Sequence, residues 1–265
     1  MKYFLSGLVL IFLSGFMIFP VGAKITHHSL YTVQTFEVFE DACKNENDCA
    51  HLRVEYPSLG SFLKADVRNK INQTIVNDLL GSKQTSLEAW GVVFLKDYDS
   101  FDKSNTGAPA WSHSSRAFID FINDEILGLV IHSQGYMGGA HGYSHTEFRN
   151  YDLKTGQRVI LSDLFKPGFE KALNQEAEKA FRAQKGLGRW ESLEKAGYEF
   201  KQNKFAVNNN VLMTPKGLTF YFNDYEIAPY VMGPTQVSVN YAPLSNWIKG
   251  WGQKTSLISR IQEAE

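Results

Sequence analysis

The segment Tyr136-Met137-Gly138-Gly139-Ala140-His141-Gly142-Tyr143-Ser144-His145 gathers two imidazoles and a run of glycines. Glycine lets the backbone approach a ligand closely, and imidazole moves protons or binds metals near neutral pH. Gly138, Gly139, His141 and Tyr143 are therefore candidate ligand-binding residues. His141 and His145 have the spacing of a zinc pair only on a helix, which the glycines around His141 oppose. Gly142 also stands where a zinc hydrolase of the His-Glu-x-x-His type carries its glutamate. His132 offers a third imidazole on a predicted strand. The alternative to metal binding is a turn in which His141 hydrogen-bonds the backbone, and no metal site is assigned.

A second candidate surface is Tyr221-Phe222-Asn223-Asp224-Tyr225-Glu226-Ile227-Ala228-Pro229-Tyr230-Val231-Met232-Gly233-Pro234. Tyrosine supplies rigid contact area, and acids supply steering charge. Asp224, Tyr225, Glu226 and Tyr230 are candidates for recognition; the other reading is that these aromatics pack back onto a sheet edge. Ile131-His132-Ser133-Gln134-Gly135 misses the nucleophile elbow, since Ile131 occupies the first glycine position. The chain carries no phosphate loop and no dinucleotide fingerprint, because Gly186-Leu187-Gly188 lacks the third glycine. No catalytic residue and no cofactor follow from these motifs.

The elements that must position such loops can be read from periodicity. Tyr31–Phe39 and Leu52–Tyr56 have strand composition and flank a loop bounded by Cys43 and Cys49. Leu63, Val67, Ile71, Ile75 and Leu79 recur every fourth residue, which predicts a helix within 62–80 that ends at Gly81. Trp90–Leu95 has strand composition, and 97–110 reads as a polar loop anchored by Phe101. Arg116–Ile122 and Glu125–Ser133 form a predicted hairpin about Asn123-Asp124; Tyr143–Leu153 and Gln157–Leu161 form another about Lys154-Thr155-Gly156. Phe169–Phe181 is a predicted helix with Gly186 near its end. Val211–Met213 and Leu218–Phe222 flank the turn Thr214-Pro215-Lys216-Gly217, and Gln236–Tyr241 adds a strand. The class is α+β, with antiparallel sheets each covered by an amphipathic helix.

Composition sets the compartment and excludes some partners. The chain has 265 residues, 43% of them hydrophobic, enough for a sizeable core. With 27 basic and 28 acidic residues, a net charge of -1 argues against a nucleic-acid partner. Lys2, an apolar run from Tyr3 to Phe19 and the small residues Val21 and Ala23 read as a cleavable signal peptide cut after Ala23. The competing reading is a retained anchor, although a helix of about 17 residues reaches only ~26 Å against a ~30 Å bilayer core. Export to an oxidising compartment favours a Cys43–Cys49 disulfide closing a short polar loop.

Three segments together resemble a known family: Gly138-Gly139-Ala140-His141; Tyr151-Asp152-Leu153-Lys154-Thr155-Gly156 with Leu161-Ser162-Asp163-Leu164-Phe165; and Gly217-Leu218-Thr219-Phe220-Tyr221-Phe222 running into Tyr225-Glu226-Ile227-Ala228-Pro229-Tyr230 and Gly233. In order and spacing they resemble the RsiV/PdaC-like extracytoplasmic proteins, and Leu52–Leu59 followed by Ile71-Asn72 is similar to the family's amino-terminal domain. The resemblance implies a signal peptide at 1–23, a PdaC-like domain at 24–149, an RsiV-like domain at 150–250 and a polar tail at 251–265. PdaC hydrolysis belongs to a separate polysaccharide-deacetylase domain, and RsiV-type signalling needs a cytoplasmic segment. The implied role is an exported periplasmic or cell-envelope binding protein that recognises lysozyme-like proteins or peptidoglycan glycans. The alternative is an envelope glycan hydrolase or deacetylase-like metal-dependent enzyme. Acids in other predicted loops (Glu46, Asp48, Asp97, Asp99, Asp102) add negative charge for a basic partner.

Mass spectrometry of the exported protein without reductant is expected to give an amino terminus at Lys24 and Cys43 joined to Cys49. Free thiols, or an intact Met1, would contradict these assignments.

Overall fold

The structure, a computed structural model, describes residues 30–40, 49–101 and 109–249. The leader through Ala23, Cys43, the acids Glu46, Asp48 and Asp102, and the tail at 251–265 lie outside the described residues. The elements run β1 (Tyr31–Phe39), β2 (His51–Leu59), α1 (Ala65–Leu80), α2 (Leu87–Ser100), β3 (Ser112–Ile122), β4 (Ile126–Tyr136), β5 (Tyr143–Asp152), α3 (Leu161–Leu164), α4 (Glu170–Lys185), β6 (Val211–Thr214), β7 (Gly217–Phe222) and β8 (Thr235–Asn240). A five-stranded sheet has the order β1-β2-β3-β4-β5, and a three-stranded sheet the order β6-β7-β8. The class is α+β. Two compact units divide the chain: one holds the described residues up to Phe118 together with Ile131–Ser144, the other Ile119–Val130 together with the described residues from His145 onward. No described helix is long and apolar enough to cross a membrane.

In the first unit β1 and β2 pair antiparallel from Tyr31↔Leu59 to Phe39↔His51. Glu40 N–H donates to the Ala50 carbonyl (2.9 Å) and Gly60 N–H to the Leu30 carbonyl (2.8 Å). Because bonded and non-bonded pairs alternate in an antiparallel ladder, the even-numbered residues of β1 bond to β2 and the odd-numbered ones point away from it. β2 turns its odd residues to β3, as His51 N–H shows by donating to the Trp111 carbonyl (3.0 Å). Pro57 sits at an odd position past the β2–β3 pairing, so its missing N–H breaks no ladder bond.

β2 and β3 pair in parallel from His51↔Ser112 to Glu55↔Arg116, a departure from the antiparallel reading. A parallel pair needs a long crossover, which α1 and α2 provide. α1 buries Val67, Ile71, Ile75 and Leu79 as their spacing predicts. The strand expected at Trp90–Leu95 is instead part of α2. Ser86 caps that helix by accepting from Ala89 N–H (3.1 Å), and Leu87, Gly91, Phe94 and Leu95 are buried at helical spacing while Val92 and Val93 face out. The cap and burial pattern override the β propensity of the Val-Val-Phe run. Gly91 rides directly over Phe36 and Val38 of β1, where an added Cβ would lie 2.9 Å from the Val38 methyl.

In the second unit α4 places Leu173, Ala177 and Phe181 in a core with Leu218, Phe220, Val237 and Val239 of the three-stranded sheet. The β6–β7 hairpin turns where the sequence predicts, with Thr214↔Gly217 as its last pair. The strand expected at Gln157–Leu161 is reduced to a single bridge, Tyr151↔Arg158, and Leu161 opens α3. The Asp163 carboxylate accepts from Ile160 N–H (3.0 Å), which favours a helix start there.

The two facing edges within this unit are sealed by side-chain amides. Along β5, Thr146 N–H donates to Asn223 Oδ1 (2.7 Å) and Phe148 N–H to Asn210 Oδ1 (2.7 Å). The Thr146 carbonyl accepts from Asn210 Nδ2 (2.7 Å) and Asn223 Nδ2 (3.1 Å). In return, Asn150 Nδ2 donates to the Val211 carbonyl (2.8 Å), and its Oδ1 accepts from Met213 N–H (2.8 Å), filling the outer edge of β6. A buried amide group left without a partner costs about 1–3 kcal/mol. Asn150→Ala, which orphans two such groups, should therefore lose about 2–4 kcal/mol in denaturant unfolding; a loss below about 1 kcal/mol would show that solvent or relaxation replaces the amide.

Candidate functional site

The candidates fall into two groups, one in each unit. Gly138, Gly139, His141 and Tyr143 belong to the first, and Asp224, Tyr225, Glu226 and Tyr230 to the second.

Around the first group Gly135 and Gly138 serve close packing, whereas Gly139 has open space around it and adopts a φ of +96° that favours glycine. An added Cβ at Gly135 would lie 2.1 Å from the Ser112 carbonyl oxygen, so the strands meet there backbone to backbone. Gly138, at φ +86°, lies over Phe101 and Trp111 and leaves no room for a side chain. Tyr136 donates to the Gly139 carbonyl (2.9 Å), and His141 Nδ1 donates to the neighbouring Gly142 carbonyl (2.7 Å). Among the described residues no group of three or more His, Cys, Asp and Glu is arranged to hold a metal.

Tyr143 leads to an arrangement that sequence reading misses. Its hydroxyl bonds His113 Nδ1, His113 Nε2 bonds Ser115 Oγ (2.7 Å), and Ser115 bonds Ser133 Oγ (2.7 Å). Trp90 meets the imidazole edge-on at 4.7 Å. Burial pushes His113 down to about 4 and Tyr143 up to about 12, so at neutral pH the imidazole is uncharged and the phenol keeps its proton. Tyr143 then donates to Nδ1, and Nε2–H donates to Ser115. A serine bonded to a histidine is the opening of a nucleophile relay. Ser115 is only 2% exposed, however, and cannot meet a substrate. The chain acts as a neutral strut across β3, β4 and β5. The alternation of His113 and Ser115, two polar residues on one face of a strand, is the trace it leaves in the sequence.

The second group forms a rigid loop with an exposed aromatic tip. Glu226 Oε2 accepts from Asn223 N–H (2.8 Å), and Oε1 accepts from Asn208 Nδ2 (2.6 Å). Glu226 N–H in turn donates to the Asn223 carbonyl (3.1 Å). Glu226 is therefore a brace for the loop, which leaves Asp224 as the acid beside the tip. Tyr225 adopts φ +63°, the left-handed region that a bulky side chain rarely enters. The residue is 63% exposed, and its ring stacks on Tyr230 with centroids 5.4 Å apart and an interplanar angle of 25°. Val231, 91% exposed, and Met232 extend the apolar surface. Asn208 and Asn210, which fix this loop and its sheet, were not among the sequence candidates.

The chain thus has a two-unit α+β architecture, with a buried polar strut in one unit and a braced aromatic loop in the other. Residues 43–144 match the family described as deacetylase PdaC, and residues 162–242 match the family described as a protein of unknown function, DUF3298. The chain thus joins a PdaC-type N-terminal region to a DUF3298, RsiV-like C-terminal region. A crystal structure of a DUF3298 family member from Bacteroides fragilis is similar, with a TM-score of 0.71 and 21% identity over 86% of this chain and 98% of that one. A DUF3298 family protein from Pseudomonas aeruginosa is similar with a TM-score of 0.66 and 22% identity over 83% and 94%. At such identities the likeness concerns the fold. No curated protein matches the chain.

The strut gives a pH dependence. Unfolded histidine takes up its proton near 6.5 and folded His113 near 4. The associated stability is complete above pH 6.5 and falls away as pH drops towards 4, by about 3 kcal/mol. Unfolding free energies of the parent and His113→Asn measured from pH 7 to pH 4 should converge by that amount. Parallel curves would mean that the imidazole takes up its proton in the folded state as it does in the unfolded chain.

Proposed function

We propose that this protein is an exported, non-enzymatic binding protein of the cell envelope, which holds a lysozyme-like partner protein at the Tyr225–Tyr230 loop. The observation that carries the reading is Tyr225 itself: exposed, stacked, and held at positive φ by the Glu226 brace. Strained backbone that persists only because its surroundings enforce it points to a role outside folding. Exposed Tyr, Val and Met side by side have the composition of an interface core, and a pre-ordered aromatic anchor loses little entropy on binding. The PdaC and DUF3298 matches support an envelope-associated, extracytoplasmic setting.

The brace also revises the expected electrostatics. With Glu226 engaged inside the loop, Asp224 is the steering acid at the tip, so the salt dependence of association should be shallow. Burial of the aromatic tip then supplies most of the affinity.

Calorimetric titration of the mature protein with a panel of lysozymes and with chitooligosaccharides tests this reading. Binding to a lysozyme is expected, and Tyr225→Gly should weaken it by roughly tenfold or more, as loss of an interface anchor does. The same variant should stay within about 1 kcal/mol of the parent in stability, because relief of the left-handed strain offsets the lost ring stacking. Binding of oligosaccharide alone would transfer the loop to a glycan ligand. Lysozyme binding that Tyr225→Gly leaves unchanged would remove the loop from recognition.

A further inference from the structure

The five-stranded sheet treats its two edges in opposite ways. Backbone groups of β5 at Thr146 and Phe148 are capped by asparagine amides. β1 is the other edge, and among the described residues nothing pairs with its outer side. The odd-numbered residues Tyr31, Val33, Thr35, Glu37 and Phe39 direct their N–H and C=O groups outward along that side. Edge strands are ordinarily protected by proline, lysine, a bulge or shortness. β1 has nine residues and neither proline nor lysine, and its single charge, Glu37, is paired with Arg53 on β2. The odd side chains also occupy the face away from α2, where Tyr31, Val33 and Phe39 are exposed.

We propose that β1 is a docking edge for a second copy of this chain, pairing antiparallel with its own equivalent about a two-fold axis at Thr35. The register favours this occupant. Centred on Thr35, the pairing sets Tyr31 against Phe39 of the second copy, Val33 against its Glu37 and Thr35 against its Thr35. The hydrogen-bonded pairs are then all odd-numbered, each exchanging two hydrogen bonds, the even-numbered residues face each other in the non-bonded positions, and no outward group is left over. A slip by one residue would set outward-pointing groups against residues already bonded to β2. Rings at both ends meet rings across the junction, a favourable cross-strand pair. The small Thr35 stands where the axis crowds, and Arg53 neutralises Glu37 where it meets Val33. The joined edge is about 30 Å long.

Sedimentation of the mature protein from micromolar to near-millimolar concentration, with hydrogen exchange on the same samples, tests the pairing. A monomer–dimer equilibrium is expected, in which the amides of Val33, Thr35 and Glu37 gain protection as dimer forms. The even-numbered amides, already bonded to β2, should not change. Thr35→Lys faces its own charge across the axis and should weaken dimerisation by roughly fivefold or more. The exchange pattern of the parent decides the matter even if that variant fails to fold. A monomer at every concentration, whether or not its edge takes up an unrelated extended peptide, overturns the proposal. So does a dimer whose odd β1 amides exchange as freely as in the monomer, or a folded Thr35→Lys protein that dimerises as the parent does.

Discussion

The edge of a β-strand is a row of donors and acceptors that water or another group must satisfy, and much of this protein follows from how one such row is filled. Asn150, Asn210 and Asn223 supply amides where a further strand would otherwise run, and each offers a donor and an acceptor at the spacing of a peptide group. Asn223 carries the constraint further. Its side chain is fixed on Thr146, and its own N–H and C=O are taken by Glu226. Glu226 is anchored a second time by Asn208. A sheet-edge contact thereby fixes a loop, and the loop holds Tyr225 in a conformation that such a residue does not choose alone.

The first unit solves a similar problem with a different group. His113 stands in a strand, nearly buried, with a hydroxyl at each ring nitrogen and Trp90 against its edge. An imidazole buried in this way is tolerated because both nitrogens are bonded while it is neutral. The glycines that follow on β4 and beyond allow the backbone of Gly135 to approach Ser112 and let Gly138 lie over Trp111. In the loop that invites a ligand-binding reading, Gly135 and Gly138 are set by packing and His141 is bonded to its own turn.

Much of the architecture is legible in the sequence wherever local pattern and tertiary context agree. The four-residue repeat from Val67 to Leu79 gives α1, and Thr214-Pro215-Lys216-Gly217 gives the β6–β7 hairpin. Where they disagree, local pattern misleads. Trp90–Leu95 has strand composition but is helical, because Ser86 caps the helix and the sheet beneath takes Leu87, Gly91, Phe94 and Leu95. The asparagine seal is not legible, since its partners lie some sixty to eighty residues apart and obey no period. For the same reason Glu226 reads as a surface charge in the sequence and is a brace in the fold. Tyr225 and Tyr230 are legible as aromatics in a turn-rich segment, but their stacking is a property of the folded loop.

The central claim is that the sheet-anchored loop presents a preformed aromatic surface to its partner. Backbone amide NMR of the mature protein titrated with a lysozyme tests it most directly. The account predicts chemical-shift changes concentrated at Tyr225 and at 230–232, with little change at Asn223, Glu226 or Thr146, since the brace is in place before the partner arrives. Changes centred on 136–143 with an unperturbed Tyr225 would contradict it.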